Sequence, residues 1–324
     1  MLAYRPLTIA MVFDRVLKLC FNKRALLLTG LGFLCLGLPG IPLGLRLVSF
    51  YRHMLESIVT GSMLDFLRWA SVLDILLNIF LFLLLLALYC LYNLMATELY
   101  GQLFLQRVYH LKISFVKQLK NIGPYFLYLL MCNLGMAIVS IVFWTVIVIF
   151  TGLGMLFAML GLMVFMAIFT ILGLLIDYAL YNALEVFVRL TIPSMVIEKV
   201  GLFKAFGRSF SLVIKSYWQV FGLNLLFNFI KLALAFILIS GIGVLMVSLF
   251  SGLVSDMDTL LELMIFICVV FVFLIKVLDL MLTNTFNVVL LFRQRLKYES
   301  LAAELLTEDL ISGQDKPIPP KIKG

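Results

Sequence analysis

Six stretches of this sequence are apolar for at least the ~20 residues that a helix needs to cross a hydrocarbon core. They lie near 25–48, 73–95, 124–150, 153–176, 219–249 and 262–292. In lipid a spanning segment must pair its own backbone N–H and C=O groups, which restricts it to a helix or a closed barrel, and runs of this length match helices. The expected fold is therefore all-α: a polytopic membrane protein with six transmembrane helices. Composition agrees, with 64% hydrophobic and 13% charged residues against about 25% charged in a soluble domain. Too few polar groups are present to clothe a water-soluble core of that apolar content.

The first apolar run starts only near Ala25 and lacks a small-residue cleavage pattern, so the first span is expected to stay attached. Within that span Gly37, Pro39, Gly40, Pro42 and Gly44 remove a backbone donor or lower helix propensity, consistent with a kinked or re-entrant helix or with a gate. The last two apolar stretches are each roughly 46 Å long as helix, at 1.5 Å per residue, and must tilt, kink or protrude. Orientation follows from the short loops: twenty Lys and Arg precede the first, third and fifth spans or follow the sixth, whereas Arg46, Arg52 and Arg68 alone stand on the other side. Under the positive-inside rule both termini are cytoplasmic. The links at Thr151–Gly154 and Ser251–Leu261 carry no basic residue. A single membrane domain over 1–306 is expected, followed by a flexible polar tail over 307–324.

Three basic segments precede outward-going spans. Ile9, Val12, Phe13, Val16, Leu17 and Cys20 recur at helical spacing opposite Asp14, Arg15, Lys18 and Asn22. Before the third span, Ser114 is suited to cap a short helix in which Phe115, Leu119 and Ile122 oppose Lys117 and Lys120. Before the fifth, Phe203, Phe206, Phe210, Val213 and Trp218 lie against Lys204, Arg208 and Lys215. Such helices suit the membrane interface, and Arg15, Lys18, Lys117, Lys120, Lys204, Arg208 and Lys215 are candidate contacts to anionic lipid headgroups. The arrangement reads either as three helix-plus-hairpin repeats, near 1–100, 101–177 and 178–292, or as what charge-directed topology imposes on any multi-span chain.

Pro193, Glu198, Gly201, Ala205, Arg208, Ser209 and Trp218 occur in an order that resembles the membrane domain accompanying some bacterial glycerophosphoryl diester phosphodiesterases, and related stand-alone membrane proteins. The helix from Phe13 to Arg24 and the basic helix after the last span are also similar to that family. The tail departs from it: the usual tyrosine-aspartate pair and glycine are missing, and Arg293, Arg295 and Glu299 are a loose echo. The resemblance covers the layout, with its specific motif confined to about 30 residues. It implies a fold and a bacterial inner-membrane location. The hydrolase chemistry of the fusion proteins belongs to a separate soluble barrel and is not carried over.

Ionisable residues inside spans are costly and are the first places to look for function. Lys231 in the fifth span and Lys276 and Asp279 in the sixth form a candidate cluster, either a clamp between the two spans or a site for an anionic solute or headgroup. Asp177, Tyr181, Glu185 and Arg189 recur every four residues and read as a solvated, self-paired face. Asn224, Asn228, Asn284 and Asn287 are placed to hydrogen-bond between helices. The five cysteines show no CxxC spacing or histidine cluster, so neither disulfide, metal nor cofactor is expected; Cys20, at the membrane border, suits acylation or interfacial packing. No GxSxG, HExxH or GxxxxGK[ST] occurs, and the +8 net charge belongs to topology rather than nucleic-acid binding. The expected function is non-enzymatic: a protein that organises or senses lipid or scaffolds an envelope partner, the alternative being a small-solute or lipid transporter using the charged cluster.

Overall fold

The structure is a computed structural model, described here over residues 7–60, 72–159, 163–250 and 257–299, with some helical side chains, Asp177 among them, outside the description. Every regular element among the described residues is an α-helix: α1 (Ile9–Cys20), α2 (Lys23–Thr60), α3 (Val72–Phe104), α4 (Leu111–Leu119), α5 (Ile122–Met159), α6 (Met163–Arg189), α7 (Thr191–Ile197), α8 (Leu202–Ile214), α9 (Tyr217–Phe250) and α10 (Met257–Tyr298). Five of these stretches are long and apolar enough to cross a membrane: Lys23–His53, Asp74–Phe104, Ile171–Ile197, Tyr217–Gly241 and Leu263–Tyr298. Their apolar side chains extensively face outward; Leu38 is 77% and Phe236 72% exposed, which water would penalise and acyl chains would not.

Thr151–Gly154 is not a link. It is helical and lies inside α5, which continues to Met159. Gly152 and Gly154 each lower helix propensity by only about 1 kcal/mol, whereas opening the backbone in an apolar setting leaves its polar groups without partners. The residues at 61–71, 251–256 and 300–324 lie outside the described set. So do Arg68, much of the expected Ser251–Leu261 link and the expected tail over 307–324.

The chain divides into two compact units, one drawn from Met1–Arg15, Gly123–Phe229 and Phe286–Gly324, the other from Val16–Ile122 and Ile230–Thr285. The second unit explains the glycine-proline segment. α2 runs without interruption through Pro39 and Pro42, so it is neither re-entrant nor broken. Each proline deprives the carbonyl four residues earlier of its helical donor, and close packing accompanies the loss. A Cβ on Gly40 would stand 2.1 Å from the Phe273 ring, and one on Gly32 would stand 2.3 Å from Tyr92. Glycine at these positions lets α3 and α10 approach the α2 backbone, a close-packing device common between apolar helices.

Helix ends follow local chemistry. α3 terminates with Gln106 in the left-handed region at φ 56°; Arg107 N donates to the Gln102 carbonyl at 2.8 Å and Gln106 N to that of Leu103 at 3.1 Å. These are the paired bonds of a Schellman ending, where glycine is the usual residue. Lys199 takes the same conformation after α7, also at φ 56°. Ser114 does not cap α4: His110 occupies the cap, and Ser114 lies one turn inside with its N–H on the His110 carbonyl at 3.0 Å.

Candidate functional site

In the second unit, Lys231 of α9 donates to Asp279 Oδ1 at 2.7 Å and to Thr283 Oγ1 at 3.0 Å, both on α10. Lys276, one turn before Asp279, approaches Oδ2 at 3.7 Å. The three residues singled out from sequence are thus brought together, and one carboxylate serves two ammonium groups. A polar lane continues along α3 and α10: Asn284 Nδ2 donates to Asn93 Oδ1 at 2.8 Å, and Thr97 Oγ1 to Asn284 Oδ1 at 3.5 Å. Asn93 in turn donates to the Tyr89 carbonyl at 2.9 Å.

Glu98, near the end of α3, anchors α4. Its carboxylate accepts from Ser114 Oγ at 2.5 Å and Gln118 Nε2 at 2.7 Å, and it pairs with Lys117. The buried face of α4 is therefore polar, formed by Ser114 and Gln118, while Ile113, Phe115, Val116 and Leu119 face outward. Lys117, a candidate headgroup contact, is engaged by Glu98, and Lys120 is exposed. Cys20, at the end of α1, is fully buried and donates to Thr285 Oγ1 at 3.3 Å. Burial pushes its thiol up to about 11, against the small downward pull of Thr285. This environment favours packing over acylation.

The first unit holds a polar cage that the solvated-face expectation missed. Arg189 is buried, with Nη2 on Glu185 Oε1 at 3.0 Å and on Asn228 Oδ1 at 3.1 Å, and Nη1 on Asn287 Oδ1 at 3.3 Å. Its guanidinium stands 5.8 Å and 5.5 Å from the centroids of Phe227 and Phe286, within cation–π range. The other carboxylate oxygen of Glu185 accepts from Asn224 and Asn228, and Asn182 Oδ1 accepts from Asn228 at 2.5 Å. The i,i+4 pairing of Glu185 with Arg189 is as expected; its solvation is not, because α9 and α10 cover it. Tyr181, on the same stripe, is exposed.

A second charge group in this unit joins α7, α8 and the last turn of α10. Arg208 pairs with Glu198 and, at 2.7 Å, with Glu299; Arg295 reaches Glu198 at 3.2 Å and Glu299 at 3.2 Å. Burial pushes the Glu198 carboxyl above its usual range, opposed by Arg208 and Arg295. Arg208 is accordingly an internal tie between α8, the end of α7 and the end of α10. The remaining residues of the family-like motif also have local roles. Pro193 lies in the first turn of α7, where its missing N–H interrupts no helical bond. Gly201 caps α8 in an extended conformation. Ala205 is fully buried, and Ser209 Oγ donates to the Phe187 carbonyl at 2.6 Å.

α8 presents two unlike faces. Ala205, Ser209, Leu212 and Val213 are buried, so Val213 leaves the outward set expected for it. Phe203, Phe206, Phe210 and Ile214 are exposed, as is Trp218 at 78%. Lys204 and Lys215 flank this surface and are exposed, whereas Arg15 is half-buried and Lys18 exposed on α1. Patterning overlooked Glu98, Asn182 and the burial of the Arg189 cage, although it had placed Asn224, Asn228 and Asn287 to bond between helices; for Glu98 the available signal was an acid closing an apolar span with a Lys-bearing helix just beyond. Comparison of the chain with protein-family models, curated proteins and solved structures finds no match in any of the three.

Proposed function

We propose that this is a non-enzymatic, six-span protein of a bacterial inner membrane, with both termini cytoplasmic, that organises or senses anionic lipid through short interfacial helices between its spans. The observation that carries the reading is the construction of α8. Its small, polar face is tied down by Ser209 and Arg208, and its aromatic face is left outward between Lys204 and Lys215. Large apolar side chains beside lysines match the acyl–headgroup boundary, where aromatic rings and ammonium groups are both favourable. α4 is built alike, with Glu98 holding its polar face and Ile113, Val116 and Leu119 outward. In both helices one tie runs to a carboxylate at the end of the preceding apolar stretch, Glu98 for α4 and Glu198 for α8, which supports the reading of a repeated span-to-interface unit. The resemblance to the membrane domain of the phosphodiesterase family accords with this role and adds no hydrolase chemistry.

The test uses the full chain with Trp69 and Trp144 replaced by Phe, reconstituted in phosphatidylcholine vesicles. Trp218 fluorescence is expected to be quenched by shallowly brominated lipid and shielded from aqueous iodide. Including phosphatidylglycerol is expected to enrich that lipid around the protein, an enrichment that K204Q/K215Q reduces severalfold. Quenching of Trp218 by iodide alone, or lipid shells of equal composition in the two proteins, would exclude the proposal.

The transporter alternative places function at Lys231, Lys276 and Asp279. Direct pairing of Lys231 with Asp279 across α9 and α10 favours a clamp over a solute site.

A further inference from the structure

We infer that Arg293 and the opening turn of α1 form a binding site for a phosphate group. The site shares no residue with the lysine-flanked face of α8 and does not rest on that reading. Two arginines are buried among the described residues, Arg189 at 4% and Arg293 at 6% exposed, both in the first unit. Their surroundings differ. Arg189 has a carboxylate, two amides and two aromatic rings about its guanidinium. Around Arg293 no carboxylate lies within ion-pair distance among the described residues; its Nε donates to the Leu7 carbonyl at 3.0 Å, and its Nη1, equally buried, has no acceptor. A guanidinium does not shed its proton inside a protein, so burial leaves both a donor and a charge unmet. Water can take the hydrogen bond, but only an anion takes the charge with it.

The carbonyl that anchors Arg293 narrows the kind of anion. Leu7 and Thr8 lead directly into α1, a helix of 12 residues, where Thr8 Oγ1 accepts from Met11 N at 3.4 Å. The amides of Ile9 and Ala10 stand in the first turn, which has no helical carbonyl to offer them, and both residues are exposed. A guanidinium is therefore fixed beside the positive end of a helix, and each of the two favours an anion. The acids nearest along the chain do not relieve this. Asp14 is six residues beyond Thr8 and Glu299 six beyond Arg293, each about 9 Å of helix away. Asp14 is exposed, and Glu299 is bound by Arg208 and Arg295. A phosphate has oxygens enough to meet the guanidinium fork and the first-turn amides together, whereas a carboxylate engaged by the fork has none left over. Arg293 also ends the apolar run of α10 and is followed by Gln294, Arg295 and Lys297. Where a span turns polar, lipid headgroups and dissolved phosphate are both at hand.

The experiment takes the full chain, stripped of lipid in a non-ionic detergent, and titrates it separately with short-chain phosphatidylglycerol, inorganic phosphate and dodecanoate while thermal unfolding is followed. At a hundredfold excess over its dissociation constant, a bound phosphate compound is expected to raise Tm by roughly 5 °C. Dodecanoate, an acyl chain with a carboxylate in place of phosphate, is expected to have no such effect. A rise with phosphatidylglycerol alone assigns the site to a lipid headgroup, and a rise with inorganic phosphate as well assigns it to dissolved phosphate. The rise is expected to be lost in R293Q and kept in K204Q/K215Q, which separates this site from α8. Glutamine can still donate to the Leu7 carbonyl, so R293Q is expected to fold, with helicity and monodispersity as the check. If R293Q failed to fold, R293K would decide: it keeps the charge without the fork and is expected to bind about tenfold more weakly, and undiminished binding would then count against the site. The inference is overturned if neither phosphate compound raises Tm or if folded R293Q responds as the unmodified protein does. It is equally overturned if dodecanoate matches phosphatidylglycerol, or if K204Q/K215Q abolishes the response and so assigns it to α8.

Discussion

Individual side chains here are decided by what the neighbouring helix brings. Arg189 is an example: a cation at the end of an apolar stretch ordinarily reaches water, yet Glu185, Asn228 and Asn287 receive it in a buried cage. Removing one member of a buried pair leaves the other charge uncompensated, at a cost of about 3 kcal/mol. Arg189→Met is therefore expected to lower thermal stability in detergent markedly, and the double variant with Glu185→Gln to recover part of the loss; strictly additive effects would mean the two do not interact. Asp279→Asn should likewise lower the yield of folded protein, by loss of the Lys231 contact. Unchanged abundance together with altered solute uptake would instead favour transport. Cys20 gives a pH-dependent case. Its thiol sits at about 11, above the ordinary 9.0, so the folded state keeps its proton where the unfolded chain loses it. The stabilisation is complete below about pH 9 and is lost as pH rises towards 11. At pH 7.5 maleimide should accordingly label Cys20 only after denaturation; rapid labelling of the native protein would contradict the burial.

At the scale of elements, close approach and anchoring divide the work. α2 accepts the weakening that Pro39 and Pro42 bring because its glycines admit Phe273 and Tyr92. Gly40→Leu is expected to destabilise by about 1–3 kcal/mol through overpacking, measured by thermal unfolding in detergent, with Phe273→Ala restoring part of it. α4 depends on Glu98 in a different way. Ser114 and Gln118 have polar side chains that are buried only because the carboxylate accepts from both. Glu98→Ala should free α4, detected as faster proteolysis between Gln106 and Asn121 with the spans intact; unchanged cleavage would show that α4 is held by other contacts. Periodicity identified α1, α4 and α8 as short basic helices with apolar faces turned to lipid, which Phe115 and Leu119 of α4 are exposed to meet, but it placed Val213 of α8 and Val12, Val16 and Cys20 of α1 on such faces although they are buried. An apolar stripe signals burial in a water-soluble protein, whereas beside lipid the large apolar residues can be the outer surface and the small polar ones the packed face.

For the whole molecule, the loop charges give a topology that reporters can check: fusions after Arg107, Lys199 and Lys297 should report cytoplasm and one after Asp65 the opposite side. A cytoplasmic signal at Asp65 would undo the orientation. The helical class and the apolar stretches near 25–48, 73–95, 219–249 and 262–292 were readable directly, because length and hydropathy act locally and lipid leaves few backbone solutions, whereas 124–150 is not among the five span-length helices and 153–176 meets Ile171–Ile197 only at its end. The joint of Lys231, Lys276 and Asp279 was readable too, since charges at matching depths in adjacent spans have few other partners. Other features depended on the assembled helices. Whether Thr151–Gly154 turns or continues as helix is a small local energy difference, and here it continues within α5. Whether Arg189 meets water or Asn287, and whether Lys117 and Arg208 face headgroups or Glu98, Glu198 and Glu299, depends on residues as much as 98 positions away in sequence. Patterning along one helix says which residues share a face; packing between helices decides what that face meets.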